Sequence, residues 1–303
     1  MDTMARQMIH CRAPGKVNLT LAILGCRDDG FHELESWIVP IDWCDRLELC
    51  QAEGLSLRVI GEAEGAPIGS ENLVWQAADA MAQAAGREPN VAITLEKTIP
   101  SGTGLGGGSS DAAATLLGLN RLWELGWSTE QLRAVAEALG SDVPLFLTGQ
   151  SAVVRGRGER IEPMPTAWHG WFVLIVPPFR LSTEAVYRQW SRTAEMKHAP
   201  AAPWTALPCP SASLLDKLFN DLEPAAFRAE PRLALLHTAV NGLRGRAVRM
   251  TGSGTALFTL FDDPTEAESW RRAAAALVPA GTVLRVISTI PNHPSDLIDV
   301  CGG

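Results

Sequence analysis

Pro100-Ser101-Gly102-Thr103-Gly104-Leu105-Gly106-Gly107-Gly108-Ser109-Ser110-Asp111 is the stretch on which the reading of this chain turns. Five of the seven residues from 102 to 108 are glycine. Glycine admits positive φ and lets another molecule approach the main chain closely, at an entropic cost relative to alanine. Directly downstream, residues 112–123 (A-A-A-T-L-L-G-L-N-R-L-W) carry a helical pattern, with Ser109 or Ser110 available as N-cap. Upstream, residues 91–97 (V-A-I-T-L-E-K) alternate apolar and polar side chains, as a strand does. Strand, glycine loop and helix in that order aim free N–H groups and the positive end of a helix dipole at one point, which suits a phosphate. No Gly-Lys-Ser/Thr follows the glycines, so this is not the usual P-loop, and the G-x-G-x-x-G at Gly102, Gly104 and Gly107 is weak by itself. A flexible linker would share the composition. The tract lies between two patterned elements, however, and carries apolar Leu105 at its middle.

The chain has 303 residues, enough for one large or two ordinary domains, and its 46% hydrophobic content supports a full core. A net charge of −8 without any run of Lys or Arg argues against a nucleic-acid partner. Six cysteines lie scattered without C-x-x-C or a Cys/His cluster, so neither a metal site nor a disulfide framework is expected and a reducing compartment is. Cys11, Cys26, Cys44 and Cys50 read as buried small apolar residues. Residues 1–10 lack the apolar core of a leader, and the longest apolar run, 171–176, is far short of a membrane span. The expectation is a soluble, cytoplasmic protein with no membrane partner.

From residue 16 onward Val17, Leu19, Leu21 and Ile23 share one strand face, leaving Lys16, Asn18 and Thr20 on the other. A solvated strand edge and a site would look alike there. Residues 25–30 form a turn before Phe31 and His32, and strands are expected at 45–49 and 55–60. A helix over 72–85 ends at Gly86, and Ser128 with Gln131 makes a capping box for a second helix that Gly140 stops. Asp142 then precedes V-P-L-F-L. It reads either as a helix cap or as a carboxylate at a cleft wall, ready to accept a proton. A Pro-containing boundary at 163–170 leads to a strand at 171–176 and a helix at 183–190, and four prolines mark 198–210 as a loop. A helix at 232–241, strands at 247–250 and 257–261 joined by a glycine turn, a helix at 265–277 and a last clear strand at 282–289 complete the pattern. Strands and helices alternate in both halves without a repeat.

Lys16 and Asn18 on a strand, the glycine loop before a helix, the turn at 252–254 and Asp142 share one chemistry. Phosphoryl transfer needs positioning, neutralisation of phosphate charge, and a carboxylate to orient or deprotonate a hydroxyl.

The order P-G-K-V-N-L at 14–19, G-L-G-G-G-S-S-D-A-A at 104–113 and T-G-S-G at 251–254 resembles the three motifs of the GHMP kinase superfamily. Within it, Gly30-Phe31-His32, L-G-S-D-V-P-L-F at 139–146 and N-D-L-E at 220–223 are similar to the 4-diphosphocytidyl-2-C-methyl-D-erythritol kinase family. The likeness runs from about residue 13 to 261. It implies an α+β, two-domain GHMP kinase fold. Residues 1–165 would form an ATP-binding domain like the second domain of ribosomal protein S5, and residues 166–303 a ferredoxin-like substrate-binding domain.

The resemblance further implies ATP, with Mg2+, over Pro100, Ser101, Gly102, Thr103, Gly104, Leu105, Gly106, Gly107, Gly108, Ser109 and Ser110, with Asn72 and Lys97 near the adenine. Those last two read equally as a helix cap and a solvated strand end. Asp142 becomes the base for the substrate's 2-hydroxyl, Lys16 its neighbour, and Asn18 an orienting group. The resemblance places cytosine between Phe31 and Tyr187, read by His32, and adds Thr183, Gly252 and Ser253 to the substrate side. The implied partner is the small molecule CDP-methylerythritol, on the route to isoprenoid precursors, and the protein would be a monomer or a homodimer. Gly15 stands where this family usually has alanine, Phe31 where tyrosine is common, and Ser101 and Thr103 are variants within the loop. Another acceptor, of the mevalonate or sugar type, and a nucleotide-binding sensor without catalysis are the alternatives.

Overall fold

The computed structural model describes residues 7–62, 65–164, 169–191, 214–215, 217–290 and 298–301. The Pro-rich stretch 198–210 lies outside them.

Two long strands form the spine. β1 (Met8–Cys26) and β2 (His32–Gln51) pair antiparallel along almost their whole length, with register shifts between Pro14 and Gly15, Asn18 and Thr20, and Ile23 and Gly25. The strand expected at 45–49 is the end of β2, which also takes in the apolar run 37–43. β3 (Leu55–Gly61), α1 (Leu73–Ala84) and β4 (Val91–Lys97) make a β-α-β unit, β3 parallel to β4 and β4 antiparallel to β2. On the other flank β2 pairs with β5 (Ala152–Gly156), which pairs with β6 (Arg160–Pro163). α1, α2 (Gly107–Leu122), α3 (Thr129–Leu139) and α4 (Val143–Leu147) share one apolar cluster with this sheet. Ile9, Leu47, Leu49, Ile93 and Leu95 meet Val74, Met81, Leu116 and Leu119 there, all buried, and each side chain of that size contributes about 1.5–3 kcal/mol.

The second sheet runs β11-β7-β10-β9, from β7 (Trp171–Val176), β9 (Arg249–Met250), β10 (Leu257–Phe261) and β11 (Val283–Ser288), with all neighbours antiparallel. α5 (Thr183–Ser191), α6 (Glu223–Ala229) and α7 (Pro231–Val240) come between β7 and β9, and α8 (Pro264–Ala274) between β10 and β11. That is the ferredoxin-like order. Its period of two divides the strands between two cores. Phe172, Leu174, Phe258 and Leu260 pack with Val17, Leu19, Val39 and Ile41 of the first sheet, whereas Val173, Ile175, Leu257 and Phe261 pack with Val186, Leu233, Leu236 and Trp270.

Two short strands from the second half join the first sheet. β8 (Phe219–Asn220) lies parallel to β1, and β12 (Ile298–Cys301) antiparallel to it. The expectation of a last clear strand at 282–289 therefore misses β12. Two other expectations are corrected. The N-cap of α2 is Gly106, at φ 74°, and Ser109 and Ser110 lie inside the first turns, because a left-handed residue ends the loop before the serines are reached. Of the four cysteines named, Cys11 is buried, Cys26 is exposed beyond the point where β1 leaves the core, and Cys44 and Cys50 are half-buried.

Candidate active site

A cavity of about 880 Å³ is lined by the glycine loop, β1, β2, the start of α1, the residues before α4, α5 and the turn at 252–253. It gathers Pro100, Ser101, Gly102, Thr103, Gly104, Gly106, Gly107, Gly108, Ser109, Asn72 and Lys97 with Lys16, Asn18, Phe31, His32, Asp142, Thr183, Tyr187, Gly252 and Ser253. Leu105 and Ser110 are the exceptions among the expected residues. Leu105 is buried with the core between the sheets, which anchors the loop, and Ser110 is fully buried within α2.

The loop is held by backbone. Gly102, Gly104 and Gly106 have φ of 71°, 83° and 74°, a region that costs other residues about 1–2 kcal/mol. Lys16 N donates to Leu105 O at 2.9 Å and Ala256 N to Thr103 O at 3.0 Å. A Cβ on Gly104 would lie 2.6 Å from Thr251 O, and one on Gly106 2.8 Å from Phe146 Cζ and 3.1 Å from Lys16 Cγ. The loop thus sits between β1, α4 and the turn at 251–254, presenting the N-terminus of α2 to the cavity.

The polar face of β1 is buried rather than solvated: Lys16 is 4% exposed and Asn18 6%. Lys16 Nζ donates to Asn18 Oδ1 and to Gly104 O, each at 2.5 Å. Asn18 Nδ2 donates to Ser36 Oγ at 2.8 Å, and Ser36 Oγ donates in turn to Thr20 O at 2.6 Å. Asn18 N donates to Thr251 Oγ1 at 2.9 Å. Asn18 Oδ1 accepts from Lys16 while its Nδ2 donates to Ser36, so the amide has a single orientation, and two acceptors give Lys16 a fixed address. Burial pushes the Lys16 ammonium below its ordinary range, and Asp142 pulls it back.

Asp142 precedes α4 without capping it. Among the described residues nothing hydrogen-bonds its half-buried carboxylate, which also acts on the Tyr187 hydroxyl, itself pushed up mainly by burial and then by Asp142. An unspent carboxylate facing a buried ammonium across a cavity has the makings of a proton acceptor.

At the other end, Phe31 is 52% exposed, with the Arg157 guanidinium 4.9 Å from its ring centroid. His32 lies 5.0 Å from the Tyr187 ring and 5.1 Å, edge-on, from that of Trp190, and its Nε2 is 2.9 Å from Ser191 Oγ. Thr183 and Ser253 hydroxyls meet at 2.8 Å.

Asn72 caps α1, its Oδ1 accepting from Val74 N at 2.9 Å while Nδ2 donates to Pro67 O at 2.7 Å. Lys97 is not a solvated strand end. At 2% exposure it bonds Asp45 and, at 2.7 Å, Asp111. Asp45 also accepts from Thr98 N and Ile99 N, which fixes the turn from β4 into the loop. Two carboxylates share one ammonium there, and burial pushes Asp111 up to about 8 against the pull of Lys97. Sequence reasoning missed Asp45, Asp111, Ser36, Arg157 and Ser191 as parts of the site. Only Asp111, inside the glycine motif, carried a signal.

Comparison with known proteins follows the same lines. The model for the GHMP kinases N terminal domain matches residues 72–150, and that for GHMP kinases C terminal matches 211–280. The chain is 37% identical over 271 residues to the 4-diphosphocytidyl-2-C-methyl-D-erythritol kinase of Citrifermentans bemidjiense, covering 88% of this chain and 94% of that one. It is 41% identical over 272 residues to the protein of the same name from Paramagnetospirillum magneticum, covering 88% and 93%. A crystal structure of 4-(cytidine 5'-diphospho)-2C-methyl-D-erythritol kinase superposes with a TM-score of 0.72 at 36% identity, over 92% of this chain and 98% of that one. A homoserine kinase from Cytophaga hutchinsonii shares the fold, with a TM-score of 0.67 at 18% identity.

Proposed function

Since the chain belongs to the 4-diphosphocytidyl-2-C-methyl-D-erythritol kinase family of GHMP kinases, we propose that it phosphorylates the 2-hydroxyl of that cytidine diphosphate-linked methylerythritol with ATP. The observation that carries the reading is the unspent Asp142 carboxylate acting on buried Lys16, beside a glycine loop whose helix N-terminus faces the same cavity.

The ATP phosphates lie over residues 100–109, where positive-φ glycines leave no Cβ between phosphate and backbone. The adenine lies toward Asn72. Asp142 takes the proton of the acceptor hydroxyl. The freed oxygen bonds to the γ-phosphorus as the bond from that phosphorus to the bridging oxygen breaks, and ADP leaves with the electron pair. Such a base supplies about 10² to 10⁴ in rate. Lys16, held by Asn18 and Gly104, stabilises charge on the transferring group.

Among the described residues no three His, Cys, Asp or Glu side chains form a metal cluster. A phosphate-bound Mg2+ needs only one or two protein carboxylates. Asp111, whose Oδ1 is buried without a hydrogen bond, and Ser109 both line the cavity and would hold it. The ion would neutralise charge on the phosphates. The cytosine stacks against the face of Phe31 that Arg157 leaves free and against Tyr187, with His32 at its edge.

The test is ADP release by the purified protein with Mg-ATP and three acceptors in parallel: CDP-methylerythritol, mevalonate and galactose. Turnover of the first alone is expected. Turnover of another acceptor instead keeps the phosphoryl-transfer chemistry and removes the cytidine assignment.

A further inference from the structure

Ser191 at the end of α5 makes two polar contacts with one proton. Its Oγ lies 3.0 Å from Tyr187 O and 2.9 Å from His32 Nε2. A backbone carbonyl only accepts, so the hydroxyl proton goes to Tyr187 O and the oxygen must accept from the ring. His32 Nε2 therefore carries a hydrogen. Burial holds the imidazole below its ordinary range, which keeps it neutral with a single N–H, and Nδ1 is left as a bare acceptor. Among the described residues nothing bonds Nδ1, and His32 lines the cavity. Trp190 edge-on and Tyr187 alongside hold the ring plane.

An acceptor at that place has one consequence for a pyrimidine. The exocyclic amine of cytosine donates to it, whereas the corresponding carbonyl of uracil sets two acceptors face to face. We propose that Ser191 is a specificity-determining residue, one that fixes His32 as an acceptor and so selects cytosine over uracil. This rests on the reading that the cytidine end of the substrate occupies this end of the cavity. Ser191 touches no reacting atom; it acts through His32. Among the described residues the Ser191 contact is the one hydrogen bond given to the His32 ring, and it is what sets the tautomer.

Two measurements test it together. Nitrogen-15 NMR of the His32 ring, without ligand, is expected to show Nδ1 unprotonated in the wild type and a mixture of tautomers in Ser191→Ala. The ratio of kcat/KM for CDP-methylerythritol over its uridine counterpart is expected to fall about tenfold in Ser191→Ala, the scale of one neutral hydrogen bond, and to persist in Ser191→Thr, which keeps the hydroxyl. A protonated Nδ1 in the wild type, or an unchanged ratio in Ser191→Ala, overturns the proposal. A wild type that turns over neither nucleotide removes the substrate reading and the base selection with it, while the ring spectrum still decides whether Ser191 fixes His32.

Discussion

Replacing Gly104 by alanine is the sharpest perturbation of the loop. At φ 83° alanine costs about 1–2 kcal/mol. The new Cβ also lies 2.6 Å from Thr251 O and 3.1 Å from Gly254 O, backbone atoms that cannot rotate aside, and such overpacking costs about 1–3 kcal/mol more. The sum, about 2–5 kcal/mol, corresponds to roughly 3–8 °C in Tm for a chain of this length at ~2.1 cal/mol/K per residue. Any relief of the clash moves Gly104 O away from Lys16 Nζ, and a displacement of about 1 Å at such a site is worth on the order of 10² in rate. Scanning calorimetry and steady-state kinetics on Gly104→Ala read both effects. Gly108→Ala is the control: it is helical, its nearest neighbour would be Leu73 Cδ1 at 3.7 Å, and it should match or exceed wild-type stability, by up to about 1 kcal/mol. A Gly104→Ala protein with wild-type melting and wild-type kcat/KM would refute the reasoning.

Asp142→Asn should lower kcat by about 10² to 10⁴ and leave the KM for ATP within about twofold, since the carboxylate holds no part of the loop; an unchanged kcat removes Asp142 as base. Lys97→Met leaves the buried carboxylates of Asp45 and Asp111 together without their shared ammonium and should destabilise by about 3–5 kcal/mol, read as a lower urea midpoint at constant m; an unmoved midpoint would show the ammonium to be dispensable. Because burial lowers the pKa of His32, its ring is neutral above about 6.5. Protonation as the pH falls through the lowered pKa turns Nδ1 into a donor. The KM for the cytidine substrate should therefore be flat on the alkaline side and rise on the acid side, whereas a flat KM into the acid range contradicts the acceptor role.

Local pattern carried much of this into view. Val91 to Lys97 is a strand over the residues its alternation marks, Trp171 to Val176 and Leu257 to Phe261 are strands where the sequence sets short, largely apolar runs, and the Ser128 box and Asn72 cap stand where spacing puts them. What pattern could not show is what an alternating polar residue meets. Lys16 and Asn18 look like any wet strand face until the loop 88 residues away supplies Gly104 O. Lys97 looked like a strand end because its partners lie 52 and 14 residues off. Ser191 had no motif at all; its role comes from a hydroxyl that donates to Tyr187 O and so must accept from His32.

The Gly104 contact with Thr251 has a consequence for assembly of the chain during synthesis. The glycine tract emerges early, but the wall that shapes it, residues 251–256, is made about 150 residues later. At roughly 5–20 residues per second that is an interval of about 8–30 s, in which the tract has its glycines and no mould. A nucleotide present then has little to grip. It can reward only the joined halves, so saturation at about 100 times Kd adds about 2.7 kcal/mol to the finished enzyme alone, acting as a latch on completed molecules rather than a template for incomplete ones.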